Sequence, residues 1–361
     1  MRLLSRLTNQ AEASAASGAN RQVWVSAVET VEIRTAPPPE PGPGEALVRT
    51  VAAGICGSDL HTYRRGHAWR DYPIAVGHEV SGIVERVGPG VEDLAPGAAV
   101  LLDAVINCGA CVYCTTNRRN LCENAEFLSV QRPGGMADAF VAPSRCLRPV
   151  PPGLSMTAAA MIEPLSTVVH AVRAVGGVEG KKVVVLGAGT IGLALAMVAR
   201  VAGAAHVTVT DLVPGKRALA TGLGVDRALD AALGADALRD ETPSPADVVF
   251  DCVSSTVTLE TAIALARRGG TIAVVGAAHG KRFEVPLGVL QDDELRILGV
   301  SMSLSEDFDE AERLALGDVA LDRLVTATLP LERAADAFEL AASGEAVKVQ
   351  LAPNARADSP G

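Results

Sequence analysis

The sequence lacks long basic runs, since Lys and Arg never occur more than two in a row. Acidic residues outnumber basic ones, 42 to 32, which gives a formal net charge of −10 at pH 7. A surface of this sign repels a phosphate backbone, so we expect no nucleic-acid partner. Charged residues make up only 20% of the chain and hydrophobic residues 48%, which argues against global disorder and supplies a large core.

The N-terminal segment lacks the apolar stretch that a secretion signal needs. Residues 1–20 are rich in Ala and Ser and contain no hydrophobic run of useful length. We therefore expect a disordered leader and a cytoplasmic protein. The longest apolar run, residues 183–199, carries glycines in a phosphate-loop pattern, which favours a buried strand and helix over a membrane span.

Cysteine is scarce and odd in number, with seven residues in 361. This favours a reducing compartment over a disulfide framework, because four of the seven follow metal-ligand spacing. The pattern is C-x2-C-x2-C-x7-C, formed by Cys108, Cys111, Cys114 and Cys122. Four thiolates on one short lobe can surround a zinc ion and leave no open position, as in structural zinc sites. An iron–sulfur cluster and a pair of disulfides are the alternatives, and zinc is preferred.

A second group of candidate metal ligands lies upstream. Cys56 occurs in GICGSDLH, and the pair His78–Glu79 occurs in GHE. Sulfur and imidazole nitrogen suit zinc, and a carboxylate can join them. A catalytic zinc keeps an open position and typically has three protein ligands, so a further ligand has to come from a distant segment. Glu163 in IEPLS is the best candidate, although Cys56 and His78 alone are equally compatible with buried core residues.

Residues 181–211 follow the order strand, glycine turn, helix, strand and acid. In the G-x-G-x-x-G pattern the glycines allow a tight turn, a close approach of a pyrophosphate and close helix–strand packing. The helix N-terminus offers free N–H groups to the anion. This order and pattern predict a dinucleotide-binding site. The residues predicted to contact the dinucleotide are Gly187, Gly189, Thr190, Ile191, Gly192, Asp211 and Lys216.

The choice of dinucleotide depends on Asp211, which ends the second strand nineteen residues after Gly192. A carboxylate here accepts hydrogen bonds from a ribose diol and repels a 2′-phosphate, so we expect NAD rather than NADP. Lys216 and Arg217 are the opposing feature, because nearby cations can hold a 2′-phosphate, although exposed charges at the start of a helix are the commoner explanation.

The rest of the chain divides into a β-rich part and an α/β part, and its length suggests two domains. Short strands and Gly-Pro turns before residue 95 predict a largely antiparallel β domain. Strands are predicted at 247–253, 271–278 and 294–302, with a helix between the first two that ends at Gly269–Gly270. Helical periodicity recurs at 306–317 and 331–343.

Residues 22–351 resemble the zinc-dependent medium-chain dehydrogenase/reductase family. The matching motifs are GICGSDLH, GHE, the four-cysteine lobe, IEPLS, GAGTIG and EAVKVQL. The resemblance is closest to polyol, threonine and secondary-alcohol dehydrogenases. It implies an α/β protein with a GroES-like β-rich catalytic domain and a Rossmann domain with a doubly wound parallel sheet. The expected organisation is a leader at 1–20, the catalytic domain at 21–165, the Rossmann domain at 166–305, and a return to the catalytic domain with a tail at 306–361.

The resemblance also implies roles for individual residues. Cys56, His78 and Glu163 would bind the catalytic zinc, and Glu79 would be a further ligand or would orient the others. Ser58 would hydrogen-bond the substrate oxygen, and His61 would be the outer end of a proton relay. With the four-cysteine site this gives two zinc ions per chain.

The implied activity is hydride transfer between a secondary alcohol or polyol, or its ketone, and NAD(H). The partners are small molecules, with no membrane or nucleic acid. Related enzymes form dimers or tetramers by joining nucleotide-domain sheets, and residues 294–302 are a candidate edge for this. The alternatives are an NADPH-dependent carbonyl reductase of a biosynthetic pathway and a non-catalytic dinucleotide-binding zinc protein.

Overall fold

The structure is a computed structural model that describes residues 18–67, 70–242, 245–277, 280 and 282–354. The predicted leader at 1–20 lies outside these residues except for its last three positions, and the last seven residues of the predicted tail also lie outside them.

The first part of the chain is mostly antiparallel sheet. Its elements are β1 Asn20–Ala27, β2 Thr30–Ala36, β3 Glu45–Gly54, α1 Gly57–Arg65, β4 Ile74–Ala75, β5 Glu79–Val87, β6 Ala99–Leu102, β7 Val105–Ile106, α2 Val112–Thr115, β8 Glu126–Phe127, β9 Ala139–Pro143 and β10 Leu147–Pro149. In the larger sheet β3 pairs antiparallel with both β5 and β9. The four-cysteine segment projects between β7 and β8, which pair with each other.

The middle of the chain is an α/β unit with a parallel sheet. Its elements are α3 Met156–Ala159, α4 Ile162–Ala174, β11 Lys182–Leu186, α5 Thr190–Val201, β12 His206–Asp211, α6 Pro214–Gly222, β13 Arg227–Asp230, α7 Gly234–Glu241, β14 Ala246–Asp251, α8 Thr256–Leu265, β15 Ala266–Val274, α9 Leu287–Asp292 and β16 Arg296–Gly299. The strand order β13-β12-β11-β14-β15-β16 is that of a doubly wound sheet. The apolar run at 183–199 forms a strand and a helix, as predicted, because both faces of β11 are covered.

One helix boundary predicted from the sequence is wrong. The helix expected to end at Gly269–Gly270 is α8, and it ends at Leu265. Ala266 already pairs with Ala246 of β14, and the next strand pair resumes after a register shift. Sheet pairing therefore ends the helix before the glycines are reached.

The chain then returns to the antiparallel sheet. The remaining elements are α10 Ser305–Gly317, β17 Val325–Leu329, α11 Ala334–Ser343 and β18 Lys348–Leu351. Strand β18 pairs antiparallel with β3 and parallel with β17. Helix α10 instead packs along α4 and shares the hydrophobic core of the parallel sheet through Phe308, Ala311 and Leu314. The exact domain boundaries stay a prediction.

No helix among the described residues is long and apolar enough to cross a membrane.

The contact between α5 and the glycine turn yields the first prediction. A Cβ added at Gly192 would lie 1.8 Å from the carbonyl oxygen of Gly187. We predict that Gly192→Ala lowers the free energy of unfolding by about 1–3 kcal/mol or more, because backbone has to move. Gly215→Ala in α6 is the control, since its Cβ would meet nothing within 4 Å. Equal stability of the two variants in urea denaturation would contradict the prediction.

Candidate functional site

Three candidate ligands lie together where two antiparallel strands end. Strand β3 ends at Gly54 and leads to Cys56, the residue before α1, while His78 precedes β5. Gly54 pairs with Glu79, so the two ends are held side by side. One donor atom each from Cys56, His78 and Glu79 lies within 4.8 Å of the other two. This set of sulfur, nitrogen and oxygen donors fits a zinc ion.

The imidazole of His78 is held on both sides. Its Nε2 lies 3.4 Å from Ser58 Oγ, and its Nδ1 lies 3.1 Å from Ser129 Oγ and 3.7 Å from Asp59 Oδ1. Burial lowers the pKa of His78, but the charges of Asp59 and Cys56 outweigh burial and raise this pKa well above its ordinary value. The surroundings therefore favour positive charge at this point.

Sequence reasoning missed Asp59 and Ser129. Asp59 is buried, and its Oδ2 accepts the N–H of Cys56 at 2.9 Å, three residues back. The position of Asp59 in the first turn of α1 was a readable capping signal. Ser129 lies in a loop without a motif, so nothing in the sequence pointed to it.

Glu79 forms a buried ion pair with Lys348 of β18. Its Oε2 lies 2.5 Å from Lys348 Nζ, and the two side chains are 1% and 2% exposed. The Nζ also donates to the carbonyl of Ile55 at 2.9 Å. Burial lowers the pKa of Lys348, but Glu79 and Cys56 outweigh burial and raise it, so the ammonium stays charged. Since Oε2 is engaged by Lys348, a metal contact from Glu79 would use Oε1.

Gly54 is the residue that makes room for this pair. A Cβ at position 54 would lie 2.1 Å from Glu79 Oε2. Any larger residue would therefore push the carboxylate away from Lys348.

Glu163 lies beside this group but is not a member of the set whose donor atoms are all within 4.8 Å. It is half-buried in the first turn of α4. The pKa of the Glu163 carboxyl is raised to about 7, chiefly by burial, while the charge of His78 lowers it and the charge of Glu79 raises it. Glu163 is therefore close enough to His78 and Glu79 to interact with them electrostatically.

The four cysteines of the lobe converge as the spacing predicts. Their sulfur atoms all lie within 4.8 Å of one another, at 3.9 Å for Cys108–Cys114, 3.6 Å for Cys111–Cys114 and 3.9 Å for Cys111–Cys122. A tetrahedron with Zn–S bonds of about 2.3 Å has edges of about 3.8 Å. All seven cysteines are free thiols, and these separations are far too long for disulfides. An iron–sulfur cluster would hold its thiolates on different irons and so further apart.

The ionisation of the lobe thiols also suits a cation. Backbone N–H groups of Ala110 and Cys111 lower the pKa of Cys108 to about 6. Burial and the neighbouring sulfurs raise the pKa of Cys114 to about 12. Four thiolates at these distances repel one another, so an ion that neutralises them stabilises the lobe.

The glycine turn lies at the carboxyl end of β11. Gly189 directly precedes α5, and the Thr190 hydroxyl donates to the Val347 carbonyl at 2.7 Å. Asp211 accepts the Ala188 N–H at 2.7 Å and the Val213 N–H at 2.8 Å. Its carboxylate is thus fixed at the mouth of the turn.

The cations near Asp211 differ in their surroundings. Arg217 donates to the carbonyls of Asp211 and Leu212 at 2.8 Å and pairs with Asp230 at 3.0 Å. Lys216 is half-buried near the start of α6, the helix that also carries Arg217.

Two other predicted residues lie elsewhere. His61 is half-buried on α1. Gly187, with φ of +98°, makes the turn that only glycine adopts readily.

Comparison with known proteins decides the family. Residues 42–152 match the alcohol dehydrogenase GroES-like domain, and residues 190–317 match the zinc-binding dehydrogenase domain. Over 358 residues the chain is 32% identical to a sorbitol dehydrogenase of Arabidopsis thaliana. The aligned residues cover 95% of this chain and 98% of the Arabidopsis thaliana protein. The chain belongs to the zinc-containing medium-chain alcohol and polyol dehydrogenases. The resemblance inferred from the motifs is confirmed.

Solved structures of this dehydrogenase family have the same fold. A Sinorhizobium meliloti protein with NADP bound superposes with a TM-score of 0.86 at 32% identity, over 93% of this chain and 99% of that one. An Escherichia coli alcohol dehydrogenase with NADH superposes with a TM-score of 0.86 at 28% identity, over 93% and 100%. The predicted GroES-like and Rossmann architecture is confirmed, as is the zinc-dependent dehydrogenase class. The two bound cofactors differ, so similarity alone does not choose between NAD and NADP.

The second prediction concerns the ion pair in this dehydrogenase. We predict that Lys348→Met lowers the free energy of unfolding by about 3–5 kcal/mol, because the buried Glu79 carboxylate loses its charged partner. The double variant Lys348→Met/Glu79→Gln should recover part of this loss, since no buried charge is left alone. Urea denaturation measures both.

The control is Arg333→Met, which breaks an exposed pair with Asp336 at 2.7 Å. Its effect should stay within about 1 kcal/mol. A loss for Lys348→Met as small as that of the control would show that the buried pair does not stabilise the fold.

Proposed function

We propose that this dehydrogenase transfers hydride between a secondary alcohol or polyol and NAD(H) at a zinc ion bound by Cys56, His78 and Glu163. The observation that carries the proposal is the convergence of the Cys56 and His78 donor atoms, which lie within 4.8 Å of each other and of the carboxylate of Glu79. Glu163 supports it as the third ligand, because its half-buried carboxylate lies near enough to His78 for their charges to interact. Glu79 orients the site through Lys348. A second zinc ion in the four-cysteine lobe is structural, as its closed set of sulfurs indicates.

When bound, the catalytic zinc polarises the substrate oxygen as a Lewis acid. The chain's own groups handle the proton. Ser58 is exposed at the start of α1, and its hydroxyl lies 3.4 Å from His78 Nε2, so it can hydrogen-bond the substrate hydroxyl and accept its proton. His61 lies one turn along α1 and can pass the proton to solvent, since imidazole titrates near neutral pH.

The preference for NAD follows from the charges around Asp211. Its carboxylate is fixed beside the glycine turn by two backbone N–H groups, at the end of the strand where a Rossmann domain would bind a ribose diol. Arg217 is engaged by carbonyls and by Asp230, which leaves Lys216 as the cation that would favour a 2′-phosphate. Asp211 and Asp230 thus lie around an arginine that is already paired, so negative charge predominates here and favours NAD over the 2′-phosphate of NADP. The runner-up, an NADPH-dependent carbonyl reductase, is favoured by Lys216 and by the NADP in the Sinorhizobium meliloti structure.

The third prediction tests the activity and the cofactor together. Purified protein should contain about two zinc ions per chain and should reduce NAD with at least one member of a panel of polyols and secondary alcohols. Absorbance of NADH measures turnover. No turnover in either direction, or a single zinc per chain, would count against the proposal.

Asp211→Asn sharpens the cofactor test, because it keeps an acceptor and removes the charge. It should shift the ratio of kcat/KM for NAD over NADP towards NADP by about tenfold, the value of one lost charged hydrogen bond. Asp226→Asn is the control. Asp226 lies at the opposite end of β12, where its Oδ2 accepts the Val207 N–H at 2.8 Å. The control should leave the ratio unchanged, and an unchanged ratio for Asp211→Asn would show that its charge does not select NAD, whereas a parent ratio that favours NADP would argue for the NADPH reductase.

The fourth prediction concerns assembly. Strand β16 is one edge of the parallel sheet, and apolar side chains are exposed on it and on α9, the helix before it, namely Ile297 at 38%, Leu287 at 73% and Val289 at 41%. An exposed apolar edge favours pairing with a second copy of the chain. Light scattering after size exclusion should find at least a dimer, and Ile297→Lys should yield monomers. Leu316→Lys on α10, whose side chain is 51% exposed, should leave the oligomer intact. A monomeric parent protein would refute this assembly.

A further inference from the structure

The geometry points to Ser129 as a positioning residue that holds the ring of His78 in its metal-binding orientation. The inference rests on the proposed function in one respect, namely that His78 is a zinc ligand. It adds a residue to which neither the sequence motifs nor the family comparison gives a role.

The backbone of Ser129 is unusual for a serine. Its φ is +82°, a region that glycine adopts readily and other residues adopt at a cost. The conformation is fixed on both sides, because Ser129 N–H donates to the Arg132 carbonyl at 2.9 Å and Leu128 N–H to the Ala104 carbonyl at 3.0 Å. Glycine would therefore suit the loop better than serine. Backbone strain of this kind is common at functional sites.

The side chain of Ser129 has one clear use. Its Oγ lies 3.1 Å from His78 Nδ1, within hydrogen-bond distance, whereas Asp59 Oδ1 at 3.7 Å lies beyond it. Ser129 is 7% exposed, so water competes little for this bond. The hydroxyl is therefore the hydrogen-bond partner that His78 Nδ1 has in this structure, while Asp59 acts on His78 through its charge.

The hydrogen bond between Ser129 Oγ and His78 Nδ1 determines which ring nitrogen has a lone pair available for a metal. The opposite nitrogen, Nε2, faces the side of Ser58, at 3.4 Å from its Oγ. For Nε2 to offer a lone pair to a metal, Nδ1 has to carry the proton and donate it to Ser129 Oγ. A hydrogen bond to the second nitrogen fixes the tautomer and the ring orientation of a metal-binding histidine.

Another serine of the chain provides a matched comparison. Ser254 is also buried, 2% exposed, and also has positive φ, +56°. Its hydroxyl donates to the Gly276 carbonyl at 2.8 Å, and Ser254 is far in the sequence from the Cys56–His78–Glu79 group. Substitution of Ser254 therefore changes a strained buried serine without touching His78.

The test separates strain from metal positioning with three variants. Ser129→Gly removes the hydroxyl and the strain, Ser129→Ala removes the hydroxyl only, and Ser129→Thr keeps the hydroxyl and increases the strain, since β-branched residues avoid positive φ. The melting temperature of the metal-free protein reports strain. The rate at which one of the two zinc ions is lost to a chelator, followed by elemental analysis, reports positioning.

We expect the Gly variant to melt about 2 °C or more above the Ala variant. Both should lose the zinc about tenfold or more faster than the parent protein, as is typical when the partner of a metal-binding histidine is removed. Thr should melt lowest but retain zinc like the parent well below its melting temperature. Ser254→Ala should retain zinc like the parent.

Two results would overturn the inference. One is zinc loss from the Gly and Ala variants at the parent rate, and the other is zinc loss that follows melting temperature across all the variants. If the Thr variant does not fold, the Gly and Ala variants still decide, because they differ in strain and share the missing hydroxyl. A parent protein with a single zinc would instead refute the proposed function, so the two failures are distinguishable.

Discussion

The pairing of β3 with strands on both of its sides is the constraint on which the site depends. On one side Gly54 lies opposite Glu79 of β5, and on the other it lies opposite Gln350 of β18. Three segments separated by long stretches of chain thus meet at the end of one strand. Cys56 follows β3, His78 precedes β5 and Lys348 begins β18. A shift of one residue in either pairing would turn Glu79 or Lys348 to the opposite face of the sheet and separate the ion pair.

The same meeting point joins the antiparallel sheet to the nucleotide turn. Val347, next to Lys348, accepts the hydroxyl of Thr190 in the first turn of α5. On the other side of the site, Ser166 of α4 donates to Ser303, just before α10. The first contact ties the segment that holds Lys348 to the glycine turn, and the second ties the helix that holds Glu163 to the segment before α10. Thr190, at the glycine turn, is thus hydrogen-bonded directly to the strand region that carries Lys348, and such a fixed arrangement suits hydride transfer, which needs close and fixed reactants.

The sequence predicted the parts of the site whose chemistry is encoded locally. The four cysteines, the glycine turn and Asp211 are recognisable because their spacing within one segment is itself the signal. Cys56 and His78 needed the family resemblance, since a single cysteine and a single histidine have no distinctive spacing. Lys348, Asp59 and Ser129 received no role, because each acts through a contact that exists only after β3, β5, β18 and the loop after β8 have come together. The misplaced end of α8 has the same cause, since a strand pairing and not a local breaker ends it.

The charges around His78 suit a divalent cation. Asp59 and Glu163 each lie within electrostatic reach of Glu79 and of His78, and Lys348 is the cation that pairs with Glu79. Burial raises the pKa of Asp59, and it raises that of Glu163 to about 7, because charge is costly in this environment. Yet the same carboxylates raise the pKa of His78 well above its ordinary value despite its burial. A site that disfavours its own negative charges and attracts a proton to a buried imidazole carries an excess of negative charge. A zinc ion at this site would remove that excess without the proton and would leave His78 neutral and able to act as a ligand.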